Sequence, residues 1–109
     1  MIFYTNFLIP KQHAACIRGP FILIRPEYKE DKGLLAHERV HVEQFWNAPI
    51  IHNLRYLISK QYRLDCEVAA YREQLCWYPD NKSLRFAEFI ATRYNLAVSK
   101  ETALNLLRN

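Results

Sequence analysis

Residues 37–41 read His37-Glu38-Arg39-Val40-His41 and lie within residues 34–46, whose apolar spacing predicts a helix. Two histidines four residues apart share one face of a helix, so both imidazoles can reach a single metal ion. Glu38 projects about 100° round the helix from His37, where a carboxylate can contact a water without binding the metal. The pattern H-E-x-x-H is typical of zinc hydrolases. It predicts His37 and His41 as ligands of Zn²⁺ and Glu38 as a catalytic general base.

A third metal ligand is expected, because catalytic zinc sites usually have three protein ligands. Glu67 lies 26 residues after His41 (67 − 41), on the next predicted helix but one. A short intervening helix can bring Glu67 back beside the histidines. Ala70 and Tyr71 follow on the same helical face and leave room for close approach of two helices. Glu67 is therefore the favoured ligand among the downstream candidates, which are His52, Asp65, Cys66, Glu67 and Glu73.

The rest of the chain predicts an α+β fold, with a small N-terminal antiparallel or mixed sheet followed by four to five helices. Apolar and aromatic runs predict strands over 2–9 and 21–25, and residues 14–18 are a candidate third strand. Further helices are predicted over 50–59 after Asn47, over 63–77, from Asp80 or Asn81 to about 96, and from Ser99 to about 107. Residues 80–109 show no chemical motif and are expected to pack or to mediate contacts.

Composition predicts one domain over residues 1–109, because a chain of 109 residues that is half hydrophobic can bury one core. Three cysteines without C-x-x-C spacing indicate reduced thiols and a cytoplasmic location. The net charge of +4 is spread along the chain, whereas a nucleic-acid footprint needs basic residues clustered on one face. No segment resembles a membrane span or a signal peptide. We therefore expect no nucleic-acid or membrane partner.

The H-E-x-x-H motif followed by Glu67-Val68-Ala69-Ala70-Tyr71 resembles the glutamate-zincin metallopeptidases, in the reduced form called minigluzincins. The resemblance covers about residues 21–74. It implies a zincin-like fold, Glu67 as a zinc ligand and Glu38 as the base. It also implies that the strand before the first helix lines the cleft and pairs with extended peptide, through Ile22, Leu23 and Ile24. Arg39 and Tyr71 depart from the family, which often has an apolar residue and Asp there.

The function expected from these residues is zinc-dependent hydrolysis of a peptide or protein substrate. A developing oxyanion needs a hydrogen-bond donor. Tyr71 is favoured with Tyr62, and His13 and His52 stay open. The alternative is an inactive zincin-like module, in which the metal stabilises a domain used for interaction or assembly. Two histidines and a carboxylate favour zinc but also accept cobalt, nickel or ferrous iron.

Overall fold

Three short strands form a mixed sheet in the computed structural model, which describes residues 1–109. Strand β1 covers Ile2–Tyr4, β2 covers Ala15–Arg18 and β3 covers Phe21–Ile24. The order across the sheet is β1-β3-β2, with β3 parallel to β1 and antiparallel to β2. Gly19, between β2 and β3, has a φ of 60°, a left-handed conformation that glycine adopts without strain. Strand β3, in the middle of this order, is therefore paired along both of its edges.

The first strand is shorter than the predicted 2–9, because local contacts turn the chain after Tyr4. The backbone N–H of Phe7 donates to Thr5 Oγ1 at 3.0 Å, and Leu8 adopts a φ of 63°. Such a positive φ is incompatible with an extended strand. Residues 5–9 therefore leave the sheet.

Five helices follow the sheet, so the predicted α+β fold class is confirmed. A short 3₁₀ turn at Pro26–Tyr28 connects the two parts. The helices are α1 at Lys32–Asn47, α2 at Ile51–Ile58, α3 at Lys60–Leu75, α4 at Ser83–Arg93 and α5 at Lys100–Arg108. None of them has both the length and the apolar character needed to cross a bilayer.

Side-chain caps explain where three of the helices begin. Asp31, Ser59 and Ser99 accept hydrogen bonds from backbone N–H groups in the first turns of α1, α3 and α5. A cap of this kind satisfies donors that a helix start leaves unpaired. The cap at Ser59 begins α3 at Lys60, earlier than the predicted residue 63. Asn47 does not lead into α2 as predicted, because it is the last residue of α1.

Helix α1 lies between two hydrophobic clusters. One cluster joins the sheet to α1, with Ala15, Ile22 and Ile24 at its centre. The larger one is formed by α3, α4 and α5 and the segment before α5, and contains Leu64, Tyr71, Phe86, Ala87, Ile90, Leu96, Ala103 and Leu107. Because α1 also packs on α3, the inner faces of α1 and α3 meet between the two clusters. His37, His41 and Glu67 lie on these faces.

Helix α2 presents its aliphatic side chains to solvent and its polar aromatic side chains to the protein. Ile50 just before the helix is 90% exposed, and Leu57 and Ile58 are more than 70% exposed. On the opposite side, His52 is buried and Tyr56 is half-buried. The orientation of α2 therefore follows its polar contacts, which is the reverse of an ordinary amphipathic helix.

A substitution at Gly33 tests the packing at the start of α1. A Cβ at this buried position would lie 2.6 Å from Tyr78 Cζ. Tyr78 is held in place because its hydroxyl donates to Asp31 Oδ1 at 2.6 Å and accepts from Gln74 Nε2 at 2.8 Å. We expect Gly33→Ala to lower the free energy of unfolding by about 1–3 kcal/mol, as overpacking does, measured by urea denaturation.

The control is the same substitution in a Tyr78→Ala background. There the obstacle is absent, and alanine is expected to favour the helix by about 0.5–1 kcal/mol over glycine. Equal losses of stability in both backgrounds would contradict this account of Gly33.

Candidate metal centre

Three buried side chains from α1 and α3 bring their polar atoms together. His37 Nε2 lies 3.1 Å from His41 Nε2 and 3.5 Å from Glu67 Oε1. His41 Nε2 lies 3.3 Å from Glu67 Oε1 and 3.2 Å from Glu67 Oε2. No fourth His, Cys, Asp or Glu side chain joins this group.

The spacing of these atoms fits a tetrahedral metal ion. Zinc bonds of about 2.0–2.1 Å in a tetrahedron separate neighbouring ligand atoms by about 3.3–3.4 Å. The separations in the structure lie between 3.1 and 3.5 Å. The donor set of two imidazoles and a carboxylate is also one that zinc accepts. The three side chains therefore match one triangular face of such a site.

Hydrogen bonds to Gln44 set the tautomer of His41. Gln44 Nε2 donates to the backbone carbonyl of Cys66 at 3.2 Å, so the amide oxygen of Gln44 faces His41. That oxygen lies 2.9 Å from His41 Nδ1, which must carry the proton. In the neutral ring, the lone pair is then at Nε2 and faces the other two ligands. This is the arrangement in which metal-binding histidines are usually held. His37 Nδ1 is buried without a partner, so no contact fixes its tautomer.

Glu67 has a second contact through its other carboxylate oxygen. The hydroxyl of Tyr56, on α2, donates to Glu67 Oε2 at 2.5 Å. This contact fixes the orientation of the carboxylate and makes α2 part of the site. Tyr56 was not predictable as part of the site, because a tyrosine on a short helix carries no motif.

Without a metal, His41 and Glu67 form a buried ion pair. Burial alone would raise the pKa of Glu67, but the charges and hydrogen bonds of His41 and His37 outweigh it and hold that pKa well below its usual range. Burial alone would lower the pKa of His41. The neighbouring Glu67 carboxylate outweighs burial and raises the pKa of His41 to about 9.

Glu38 lies beside the three ligand atoms without joining them. Its Oε2 is 3.9 Å from His37 Nε2, and its side chain is buried. Burial raises the pKa of the Glu38 carboxyl, and the charges of His37 and His41 offset only part of that effect. A carboxylate with a raised pKa is a stronger base than an exposed one.

Two clefts, with volumes of about 650 and 630 Å³, meet at Glu38. These volumes are typical of sites that bind small molecules or short peptides. One cleft runs between α4 and the start of α1, and the other runs between α2 and β2. The residues that line both are His13, Ala15, His37, Glu38, Arg93 and Tyr94. Glu38 therefore borders both clefts, although its side chain is buried.

The strand expected to bind peptide is not at an edge of the sheet. Ile22, Leu23 and Ile24 belong to the central strand β3, which is paired on both sides. They are buried and line neither cleft. A peptide therefore cannot pair with β3 in this arrangement. The two edge strands are β1 and β2, and of these β2 lines the second cleft along its whole length.

Tyr71 lies next to His37, on the side of the first cleft. Its ring packs edge-on against His37 with centroids 4.3 Å apart. Its hydroxyl is 2.7 Å from the hydroxyl of Tyr94, at the end of α4. Tyr94 and Arg93 line both clefts. Residues 80–109 were expected only to pack or to mediate contacts, since no local pattern indicates that α4 ends at the site.

The other sequence candidates lie further from the three ligand atoms. His52 Nδ1 and the hydroxyl of Tyr62 contact each other at 2.7 Å, and only His52 lines a cleft. His13 lines both clefts and packs against Tyr94. The alternative third ligands Asp65 and Glu73 are exposed.

Arg63, in the wall of the second cleft, joins the ends of α2 and α4. Its Nη1 donates to the carbonyl oxygens of Tyr56 and Leu57 at 2.6 and 3.1 Å. Its Nε and Nη2 donate to those of Tyr94 and Asn95 at 2.8 and 3.2 Å. One guanidinium therefore positions the backbone of Tyr56, which contacts Glu67, and of Tyr94, which contacts Tyr71.

Comparisons of this chain with models of protein families, with curated proteins and with solved structures found no match. The resemblance to glutamate zincins consequently stays a prediction that rests on the two sequence motifs.

Proposed function

We propose that this protein is a zinc-dependent peptidase of the glutamate-zincin type. His37, His41 and Glu67 hold the metal, and Glu38 is the general base. The observation that supports this best is that the three ligand atoms are spaced as one face of a tetrahedron, beside Glu38 and the two clefts. The substrate in this proposal is a peptide or protein.

Each residue of the site has a role in this reaction. When bound, zinc supplies a Lewis acid that polarises the scissile carbonyl and acidifies a water. Glu38 accepts the proton of the attacking water and later delivers it to the leaving amine. The hydroxyl pair of Tyr71 and Tyr94 provides a hydrogen-bond donor on the cleft side of His37 for the developing oxyanion.

The alternative, an inactive metal-binding module, receives less support from the donor set. A structural zinc site normally has four protein ligands. Here only three side chains converge, and Glu38 beside them borders a cleft instead of a fourth protein ligand. The proposal also includes a cytoplasmic location, since a chain with three unpaired cysteines suits a reducing compartment.

Zinc binding is expected to release a proton at pH 8. The pKa of His41 is raised to about 9 in the metal-free site, so this imidazole is mostly protonated at pH 8 and must lose its proton to bind zinc. Apparent zinc affinity should therefore rise by about tenfold per pH unit between pH 7 and 9. Calorimetric titration at pH 8 in two buffers with different ionisation enthalpies measures the released proton. A heat of binding that does not depend on the buffer would contradict it.

The proposed function is tested with untagged protein in two steps. Elemental mass spectrometry is expected to find one zinc per chain. Digestion of a proteome-derived peptide library, followed by mass spectrometry, is then expected to reveal new termini that are absent when Glu38→Gln protein is used. Absence of metal in a folded protein would refute the proposal.

A further inference from the structure

Two arginines of α4 stack on the same aromatic ring in the wall of the first cleft. Arg93 Cζ lies 3.7 Å from the centroid of the Phe89 ring, and Arg85 Cζ lies 5.6 Å from it. The three residues are four positions apart, so they share one face of α4. All three line the cleft that reaches Glu38. Stacking on a ring restricts a guanidinium and leaves its N–H groups free at the edge.

Neither of these arginines has an acidic partner. Arg85 and Arg93 form no salt bridge. The only salt bridge at this cleft outside the metal centre joins Lys82 and Asp80. The other acidic residues that line this cleft are Glu27, Asp31 and Glu38. None of them lies within 4.0 Å of either guanidinium. The charges of Arg85 and Arg93 are therefore available to a ligand in the cleft.

A third arginine adds to the positive charge of this wall. Arg25 donates to the carbonyl oxygens of Ile9, Pro10 and His13 and to Asn6 Oδ1. All of these acceptors are neutral, so the charge of Arg25 is not compensated. Its N–H groups already donate to these acceptors, however. Arg25 therefore adds positive charge but has no free pair of N–H groups with which to bind a carboxylate.

Of these three arginines, only Arg93 borders both clefts. It lines both clefts together with His37 and Glu38, whereas Arg85 lines only the first. Burial and then the charge of Arg93 lower the pKa of His13, which lines both clefts as well. A ligand that reaches Glu38 along the first cleft therefore passes Arg93.

We propose that Arg93, assisted by Arg85, forms a carboxylate subsite beside the metal centre. A guanidinium fork binds a carboxylate through two parallel hydrogen bonds, which gives both affinity and orientation. This inference rests on the proposed function and assigns its substrate class: peptides that present a carboxylate near the scissile bond. An acidic side chain and a free C-terminus supply the same group, and the test below distinguishes them.

Peptide binding to zinc-supplemented Glu38→Gln protein tests the subsite without requiring hydrolysis. Three fluorescent decapeptide pools serve as probes. The first contains Asp and Glu and has amidated C-termini. The second has Asn and Gln in place of Asp and Glu and is also amidated, and the third has the sequences of the second with free C-termini. Fluorescence anisotropy is expected to show about tenfold tighter binding of one carboxylate pool than of the neutral amidated pool. Preference for the first pool identifies an acidic side chain, and preference for the third identifies a C-terminus.

The preference is expected to disappear in Arg93→Gln and to persist in Arg108→Gln, which changes the net charge equally. Arg108 is exposed in α5 and lines neither cleft. Circular dichroism confirms that each variant is folded. Should Arg93→Gln fail to fold, the exposed Arg85→Gln is expected to weaken the preference at least threefold.

Equal binding of the three pools would overturn the carboxylate subsite. A preference that survives unchanged in the folded arginine variants would overturn it too. These results are independent of catalysis, because the Glu38→Gln protein serves in every assay. Failure of the wild-type protein to cleave any peptide would count against the proposed function and not against the subsite.

Discussion

Replacing Glu38 by Gln is expected to lower the rate of peptide hydrolysis by about 10²–10⁴-fold while zinc stays bound at one ion per chain. The amide has almost the shape of the carboxylate but cannot accept a proton from water. Glu38 is not among the three converging ligands, so the metal should be retained. Elemental mass spectrometry and initial cleavage rates of a peptide found in the library digest measure both effects.

The same substitution is expected to raise the stability of the metal-free protein at neutral pH. Because burial raises the pKa of Glu38 above its unfolded value of 4.5, this group destabilises the fold as pH rises from 4.5 through its folded-state pKa, and the effect is constant above that. A neutral Gln removes that destabilisation. Lower activity with a higher melting temperature would be the combination expected of a residue that serves chemistry.

Glu43→Gln is the matched control, since Glu43 is exposed on the same helix. It should change neither rate nor zinc content. If Glu38→Gln cleaved the peptide as fast as the wild type, Glu38 would not be the base. If it lost zinc, Glu38 would belong to the ligands.

Replacing Glu67 by Gln is expected to weaken zinc binding by at least about 100-fold, because it removes the only anionic ligand of the three. The substitution preserves the size of the side chain, so the helices α1 and α3 should still pack. Competition with a fluorescent chelator measures the affinity. Peptide hydrolysis should fall in parallel, since it depends on the bound metal.

Glu67→Gln should also destabilise the metal-free protein, and more at pH 6 than at pH 9. The Glu67 carboxylate raises the pKa of His41 from 6.5 to about 9. Its stabilising effect is therefore complete below pH 6.5 and is lost as pH rises through 9. Breaking a buried ion pair costs about 3–5 kcal/mol at the lower pH. Urea denaturation at the two pH values measures the difference.

Asp65→Asn is the control for Glu67→Gln, because Asp65 is an exposed carboxylate on the same helix and was an alternative ligand in the sequence. Its zinc affinity and its pH dependence of stability should equal those of the wild type. If Asp65→Asn lost zinc and Glu67→Gln kept it, the assignment of the third ligand would be reversed.

The elements that could be predicted from the sequence are those with local signals. Helix α1 was recognisable from its apolar spacing, and α5 from Ser99, which does cap it. The order of a sheet followed by helices was predictable, because apolar runs typical of strands precede the segments with helical periodicity. The extent of β1 was not predictable in this way, because residues 5–9 are apolar enough for a strand and the contact of Phe7 with Thr5 turns the chain.

The convergence of His37, His41 and Glu67 was predictable because α1 and α3 are joined by a short helix. What the sequence did not indicate lies outside these two helices. Tyr56 is on a helix whose apolar side faces solvent, contrary to the usual rule. Arg93 and Tyr94 reach the clefts only through the packing of α4 on α3, which is a tertiary contact without a local pattern.

The guanidinium of Arg63 has a consequence for motion. Since it holds the last turn of α2 and the residues after α4 at once, the Tyr56 and Tyr94 sides of the site cannot open separately without breaking its hydrogen bonds. Breathing of the two clefts on the microsecond-to-millisecond timescale should therefore be concerted, with residues of both helices sharing one exchange rate in relaxation-dispersion experiments.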